Sequence, residues 1–96
     1  MVKFKYVLLL YGDMVKKLKI GKVTHFFDKI SVAVIELTAP LKVGDEILIE
    51  GTTTNLQQKV DSMQIEKDKI SSAKKGQAIG MKVKERVRVN DIVYKA

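Results

Sequence analysis

Apolar positions along this chain recur at every second residue in short runs, and Gly, Asp, Asn or Pro closes most of them. A period of two is the mark of strands, and no window shows a helical period of 3.6. From Leu18 to Phe27, Leu18, Ile20, Thr24 and Phe26 share one parity, and Gly21, Val23, His25 and Phe27 the other. Asp28-Lys29 reads as a two-residue connection to Ile30–Leu37, where Ile30, Val32 and Val34 alternate with Ala33, Ile35 and Leu37. Apolar residues on both parities predict a strand covered on both faces. Thr38-Ala39-Pro40 ends it, since proline cannot donate into a ladder.

The next stretch, Leu41–Gly51, predicts a tight turn at Gly44-Asp45, a short strand with Ile47 and Ile49 on one face, and a second turn at Gly51. Thr52–Asn55 is a polar loop. Leu56–Glu66 resumes as a long strand whose Val60 and Met63 have opposite parity, so either a bulge at Asp61-Ser62 or a bend is expected. Lys67-Asp68 turns the chain, and Ile70 and Ala73 are expected to be buried in a short irregular segment. Lys74-Lys75-Gly76 is another turn. Gln77–Lys84 is a strand in which Gly80 signals close backbone approach. Val87-Arg88-Val89 and Asp91–Lys95, separated by Asn90, complete six or seven short strands. Such spacing predicts an all-β sandwich or barrel, with residues 14–96 as a single domain.

Residues 1–13 imitate a signal peptide, with two lysines before the apolar run Tyr6–Tyr11. That run is too short for a signal or a membrane span, and no small-residue cleavage site follows. Three readings stay open for it: an added edge strand, a strand offered to a partner, or a translated extension dispensable for folding. Met14-Val15-Lys16 repeats Met1-Val2-Lys3 just before the strand pattern begins.

Composition narrows the chemistry. The chain has 96 residues and no cysteine, which rules out disulfides, a thiolate nucleophile and Cys-ligated zinc. It carries 18 Lys plus Arg against 11 Asp plus Glu, a formal charge of +7 that favours polyanionic partners. A lysine-rich solubilising surface is the alternative explanation. The charge is spread evenly between the two halves, which argues against one concentrated basic site.

Two stretches hold lysines and no acids. The first contributes Lys16, Lys17, Lys19 and Lys22; the second contributes Lys69, Lys74, Lys75, Lys82 and Lys84, with Arg86 and Arg88 just beyond. On a regular strand Lys82, Lys84, Arg86 and Arg88 would share one face about 6–7 Å apart, close to phosphate spacing. These cations, Lys69 excepted, are the candidate nucleic-acid contacts. Tyr6, Tyr11, Phe26, Phe27 and Tyr94 fit packing better than base stacking. His25 stands alone, without a nucleophile in a recognisable motif. Asp45-Glu46 point to opposite faces of a strand and do not converge, so Asp45 is better read as the turn residue. No catalytic residue, metal site or cofactor is expected, and the chain is not expected to be an enzyme.

Leu41–Gly51, followed in order by Val60–Ile65, Ile70, Ala73–Met81 and Asn90–Tyr94, resembles the second domain of translational GTPases, a family that includes elongation factor Tu and its initiation-factor relatives. Asn90 stands where that pattern has glycine, and the front hairpin keeps only Gly21 of its glycines. The resemblance implies a closed six-stranded Greek-key barrel. It also implies a freestanding, cytoplasmic binding module for RNA or a ribosome-associated particle. No Gly-x4-Gly-Lys-Ser/Thr loop accompanies it, so no GTPase is implied. Two alternatives stand beside this: a protein-interaction barrel, and a detached accessory domain of an enzyme, since similar barrels occur appended to collagenase-like peptidases. The expected partners are RNA or a ribonucleoprotein, or a protein, with no membrane. The expected state is a monomer, with residues 1–13 available for edge pairing.

Overall fold

The computed structural model describes residues 18–95; the readings placed on residues 1–13, and Lys16 and Lys17, lie outside them. All regular structure in the described residues is β. The strands are β1 (Leu18–Phe27), β2 (Val32–Leu37), β3 (Leu41–Lys42), β4 (Glu46–Glu50), β5 (Asn55–Lys59), β6 (Met63–Ile65), β7 (Asp68–Ile70), β8 (Ser72–Ala73), β9 (Ala78–Lys82) and β10 (Ile92–Lys95). Eight form one sheet in the order β5-β4-β10-β1-β2-β9-β6-β7, and β3 and β8 form a two-stranded ribbon.

The expected closed barrel is corrected here: no backbone ladder joins β5 to β7, so the sheet does not close on itself. The reason lies in the stretch read as one long strand. β5 pairs with β4, the chain then breaks at Val60–Ser62, and β6 pairs with β9 and β7. Of the two expectations for Asp61-Ser62, the bend holds, and with it the strand changes partners.

Period two explains what is inside. Ala33, Ile35 and Leu37 of β2, Ile47 and Ile49 of β4, and Ile79 and Met81 of β9 are all buried. Val32 and Val34, on the other face of β2, are only half-buried, so that strand is not covered on both sides. β1 breaks parity, because Ile20 and Val23 are both buried three residues apart. Register shifts between Lys19 and Gly21 on the β10 side, and between Val23 and His25 on the β2 side, produce this. The β1–β2 connection spans Asp28–Ser31 rather than two residues, with Ser31 at φ 54°. The β6–β7 hairpin uses Glu66-Lys67 at φ 51° and 73°, the left-handed pair that a tight two-residue turn requires.

Three turns of one design tie the sheet together. They are Lys42-Val43-Gly44-Asp45, Lys74-Lys75-Gly76-Gln77 and Arg88-Val89-Asn90-Asp91. In each, the first N–H donates to the fourth side chain: Lys42 to Asp45 Oδ2 (3.0 Å), Lys74 to Gln77 Oε1 (2.7 Å) and Arg88 to Asp91 Oδ2 (2.8 Å). The fourth N–H returns to the first carbonyl at 3.1, 3.2 and 3.1 Å. The third residue has φ of 96°, 90° and 78°, as at the third position of a type II turn.

Each turn then docks on one buried residue by two bonds. Gly44 N–H and Asp45 C=O bond Val60, Gly76 N–H and Gln77 C=O bond Leu37, and Asn90 N–H and Asp91 C=O bond Val23, all at 2.8–2.9 Å. The residues flanking the turns, Leu41 and Ile47, Ala73 and Ile79, and Val87 and Val93, are buried. A polar turn is thus pinned between two core anchors, which satisfies backbone groups that no ladder reaches.

Candidate interaction surface

The predicted cationic strand is not a strand. β9 ends at Lys82, and Val83–Asp91 is a loop held by Val83 N–H to Ser31 C=O (2.9 Å) and by the Arg88–Asp91 turn. The sequence pattern has Val83, Val87 and Val89 packing inward; Val83 and Val87 are buried but Val89 is 52% exposed, and Lys84, Arg86 and Arg88 follow a bent loop rather than one strand face. Lys19 and Lys22 flank Gly21 on β1, which pairs with Leu37, and the Lys74-Lys75 turn docks on that same Leu37. Lys82 pairs with Val32, five residues along β2, or about 17 Å away. Lys19, Lys22, Lys74 and Lys75 therefore lie toward one end of β2 and Lys82 toward the other.

The surface that sequence reasoning missed is apolar. Cross-strand registers place His25, Val34, Gly80, Gln64 and Lys69 in one row across β1, β2, β9, β6 and β7, and Phe27, Val32 and Lys82 in the next. Both rows lie on the face away from Ala33 and Met81. Gly80 has no side chain, so the first row dips there into a shallow cleft of about 270 Å³. Val32, Val34, Phe27 and Ile30 form one side, and Gln64, Glu66 and Lys67 the other. A Cβ at Gly80 would lie 3.2 Å from Gln64 Cγ and 3.3 Å from Val32 Cγ1, so the glycine keeps the floor at backbone level. Phe27 and Ile30 are 46% and 54% exposed, unusual for large apolar side chains only three positions apart. The signal was present in the sequence, as the second apolar parity of Ile30, Val32 and Val34, but it reads equally as a doubly covered strand.

Side-chain chemistry for catalysis is sparse in the described residues. His25 is exposed and its ring lies 4.2 Å from that of Phe27 at a tilt of 54°, a packing contact. No group of three or more His, Asp or Glu among the described residues could hold a metal ion. Asp45 accepts the Lys42 N–H and sits 3.8 Å from Lys95 Nζ, as a turn residue rather than half of an acid pair. Among the described residues no helix is long and apolar enough to cross a membrane.

With this geometry in place, the comparisons with known proteins point in one direction. No family model matches the chain. A protein from Methanocaldococcus jannaschii named as an uncharacterized protease is 44% identical over 92 residues, covering 95% of this chain and 23% of the protease. A collagenase of Porphyromonas gingivalis is 39% identical over 86 residues, covering 88% of this chain and 21% of the collagenase. The chain thus spans about a fifth to a quarter of the length of these curated relatives. Among solved structures, the C-terminal domain of a putative U32 peptidase from Geobacillus thermoleovorans superposes with a TM-score of 0.76 at 19–20% identity. Its two crystal structures cover 80% and 83% of this chain, and the matched parts are 98% and 92% of those chains. At that identity the likeness shows the fold.

These findings overturn the translation-factor resemblance, and with it the expectation of an RNA- or ribosome-binding module. The residues that carried the resemblance, at Leu41–Gly51, Ala73–Met81 and Asn90–Tyr94, are the three docked turns and the strands that follow them. Turn residues of this kind mark backbone conformation and carry no function of their own.

Proposed function

We propose that this chain is a non-catalytic accessory module of a collagenase-like peptidase of the U32 kind, with residues 14–96 as its folded unit. The observation that carries this reading is the 44% identity along 95% of the chain to about a quarter of a protein named as a protease. The fold likeness to the C-terminal domain of a putative U32 peptidase supports it.

The contact surface we assign is the cleft over Gly80, and the occupant is the peptidase part itself. In the relatives that part makes up the remaining three-quarters of the same polypeptide. Phe27, Ile30, Val32 and Val34 offer that part a partly exposed apolar patch to bury.

The test is to express the M. jannaschii relative without its matched quarter and add this chain in trans. Binding is expected, with Val34→Asp weakening it about tenfold or more, and the chain alone should leave peptides uncut. Peptide hydrolysis by the chain alone, or a truncated peptidase that neither binds it nor changes activity with it, would overturn the reading.

A further inference from the structure

Gln58 lies on β5 between Leu56 and Val60, on the parity that faces the core, and is 3% exposed. A carboxamide in that position must find partners or destabilise the fold. It finds three. Nε2 donates to Lys82 C=O at 3.1 Å and to Lys59 C=O at 3.2 Å, and Oε1 accepts the Lys84 N–H at 2.9 Å. Lys82 C=O and Lys84 N–H flank Val83 and point the same way. They are the pair that an antiparallel strand opposite Val83 would bond.

The pairing occurs where the chain lacks a strand. Residues 55–65 run beside β4 in their first half and beside β9 in their second, so a wedge opens between β5 and the end of β9. At the other end, the β3–β8 ribbon spans the corresponding gap through backbone pairs, Leu41 with Ala73 and Lys42 with Ser72, and through Val43 N–H to Ser71 C=O at 2.9 Å. In the wedge, by contrast, the ladder is replaced by one side chain.

We propose that the Gln58 carboxamide acts as a side-chain rung, and that the seam it closes between β5 and Lys82–Lys84 is where this sheet opens. The β4–β5 hairpin keeps its own five-pair ladder when the seam parts, and β9 keeps its pairs to β2. Opening therefore breaks the carboxamide bonds and the apolar contacts beside them, and leaves both flanking ladders intact.

Amide hydrogen exchange on the full chain tests this. In Gln58→Leu, which keeps an apolar filler and removes the rung, exchange at Lys84 should rise about tenfold or more. Ile35 and Leu37, on β2 with β9 between them and the seam, should keep their rates. An unchanged Lys84 amide, or an equal rise at all three positions, would overturn the proposal. Gln58→Glu gives a second readout if the leucine variant does not fold. An ionised glutamate sets a buried charge against the Lys82 and Lys59 carbonyl oxygens and is driven out of the seam, whereas the neutral acid donates to Lys82 C=O and accepts the Lys84 N–H. Lys84 protection relative to the parent should thus be lost at neutral pH and return as pH falls through the carboxyl range. Protection that ignores pH would count against the rung.

Discussion

The turns at Asp45 and Asp91 make the same hydrogen bonds in different surroundings. In both, an aspartate four residues into the turn caps the first N–H, the third residue is left-handed, and the whole turn docks on a valine. Asp45 is only partly buried, with the Lys95 ammonium 3.8 Å away. Asp91 is 4% exposed and lies directly over Gly51, where any Cβ would collide with its carboxylate. One turn design is thus used once near solvent with an outside counter-charge, and once inside, closed by a second loop. The difference teaches that burial, rather than hydrogen-bond geometry, sets what each aspartate is worth to the fold.

The comparison breaks most readily at Gly51. Gly51→Ala is expected to cost about 3 kcal/mol, because the new methyl must displace a buried carboxylate or the β4–β5 loop. Asp91→Ala is expected to cost about 2–3 kcal/mol, since it strips the Arg88 N–H of its acceptor and leaves a void. Combined, the two should cost less than their sum, the void taking up the methyl. Denaturant melts of the four species measure this. Strict additivity would mean that the two residues do not meet as described.

Near solvent the same change should matter less. Asp45→Ala is expected to cost about 1 kcal/mol, because water can reach the Lys42 N–H that it uncovers. A loss equal to that of Asp91→Ala would erase the distinction between the two turns. The third residue offers a parallel test. Gly44→Ala should cost about 1 kcal/mol from its φ of 96°, since no neighbour lies close enough to clash. Asn90→Gly, at φ 78°, should be neutral within about 0.5 kcal/mol, because asparagine already tolerates that conformation.

That pair of residues also shows how far the sequence could be read. Gly44-Asp45 announces its turn openly, and the parity of Ile47 and Ile49 places β4 correctly. The second and third copies are disguised: Gln77 replaces the aspartate in one, and Asn90 replaces the glycine in the other. Their starts at residues 42, 74 and 88 have no common spacing, so no period exposes them. The motif order was legible and its meaning was not, because Gly, Asp and Asn at turn positions report backbone conformation rather than function. Val83, Val87 and Val89 look like one inward strand parity, yet they lie in a loop: Val83 is buried beside the bonds to Ser31 and Gln58, Val87 is buried ahead of the docked Arg88–Asp91 turn, and Val89 at the turn is exposed. Gln58 itself carried a usable signal, as a polar residue on the parity of Leu56 and Val60. The exposed face around Gly80 could not be separated from a covered one, since alternation on both parities describes either.

The smallest effect sharpens the comparison at its solvent end. Lys95 is 45% exposed at the side chain, its ammonium has three solvated donors to satisfy, and its 3.8 Å approach to Asp45 Oδ2 is long for a hydrogen bond. Lys95→Ala should therefore cost at most about 0.5 kcal/mol at low ionic strength and less at 1 M salt, where screening acts over about 3 Å. In Asp45→Asn, which keeps an acceptor for the Lys42 N–H and removes the charge, the same lysine change should cost nothing further. A salt-independent loss above about 1 kcal/mol would instead mean that the lysine's methylene stem packs on the turn, making the Asp45 site more enclosed than its exposure indicates.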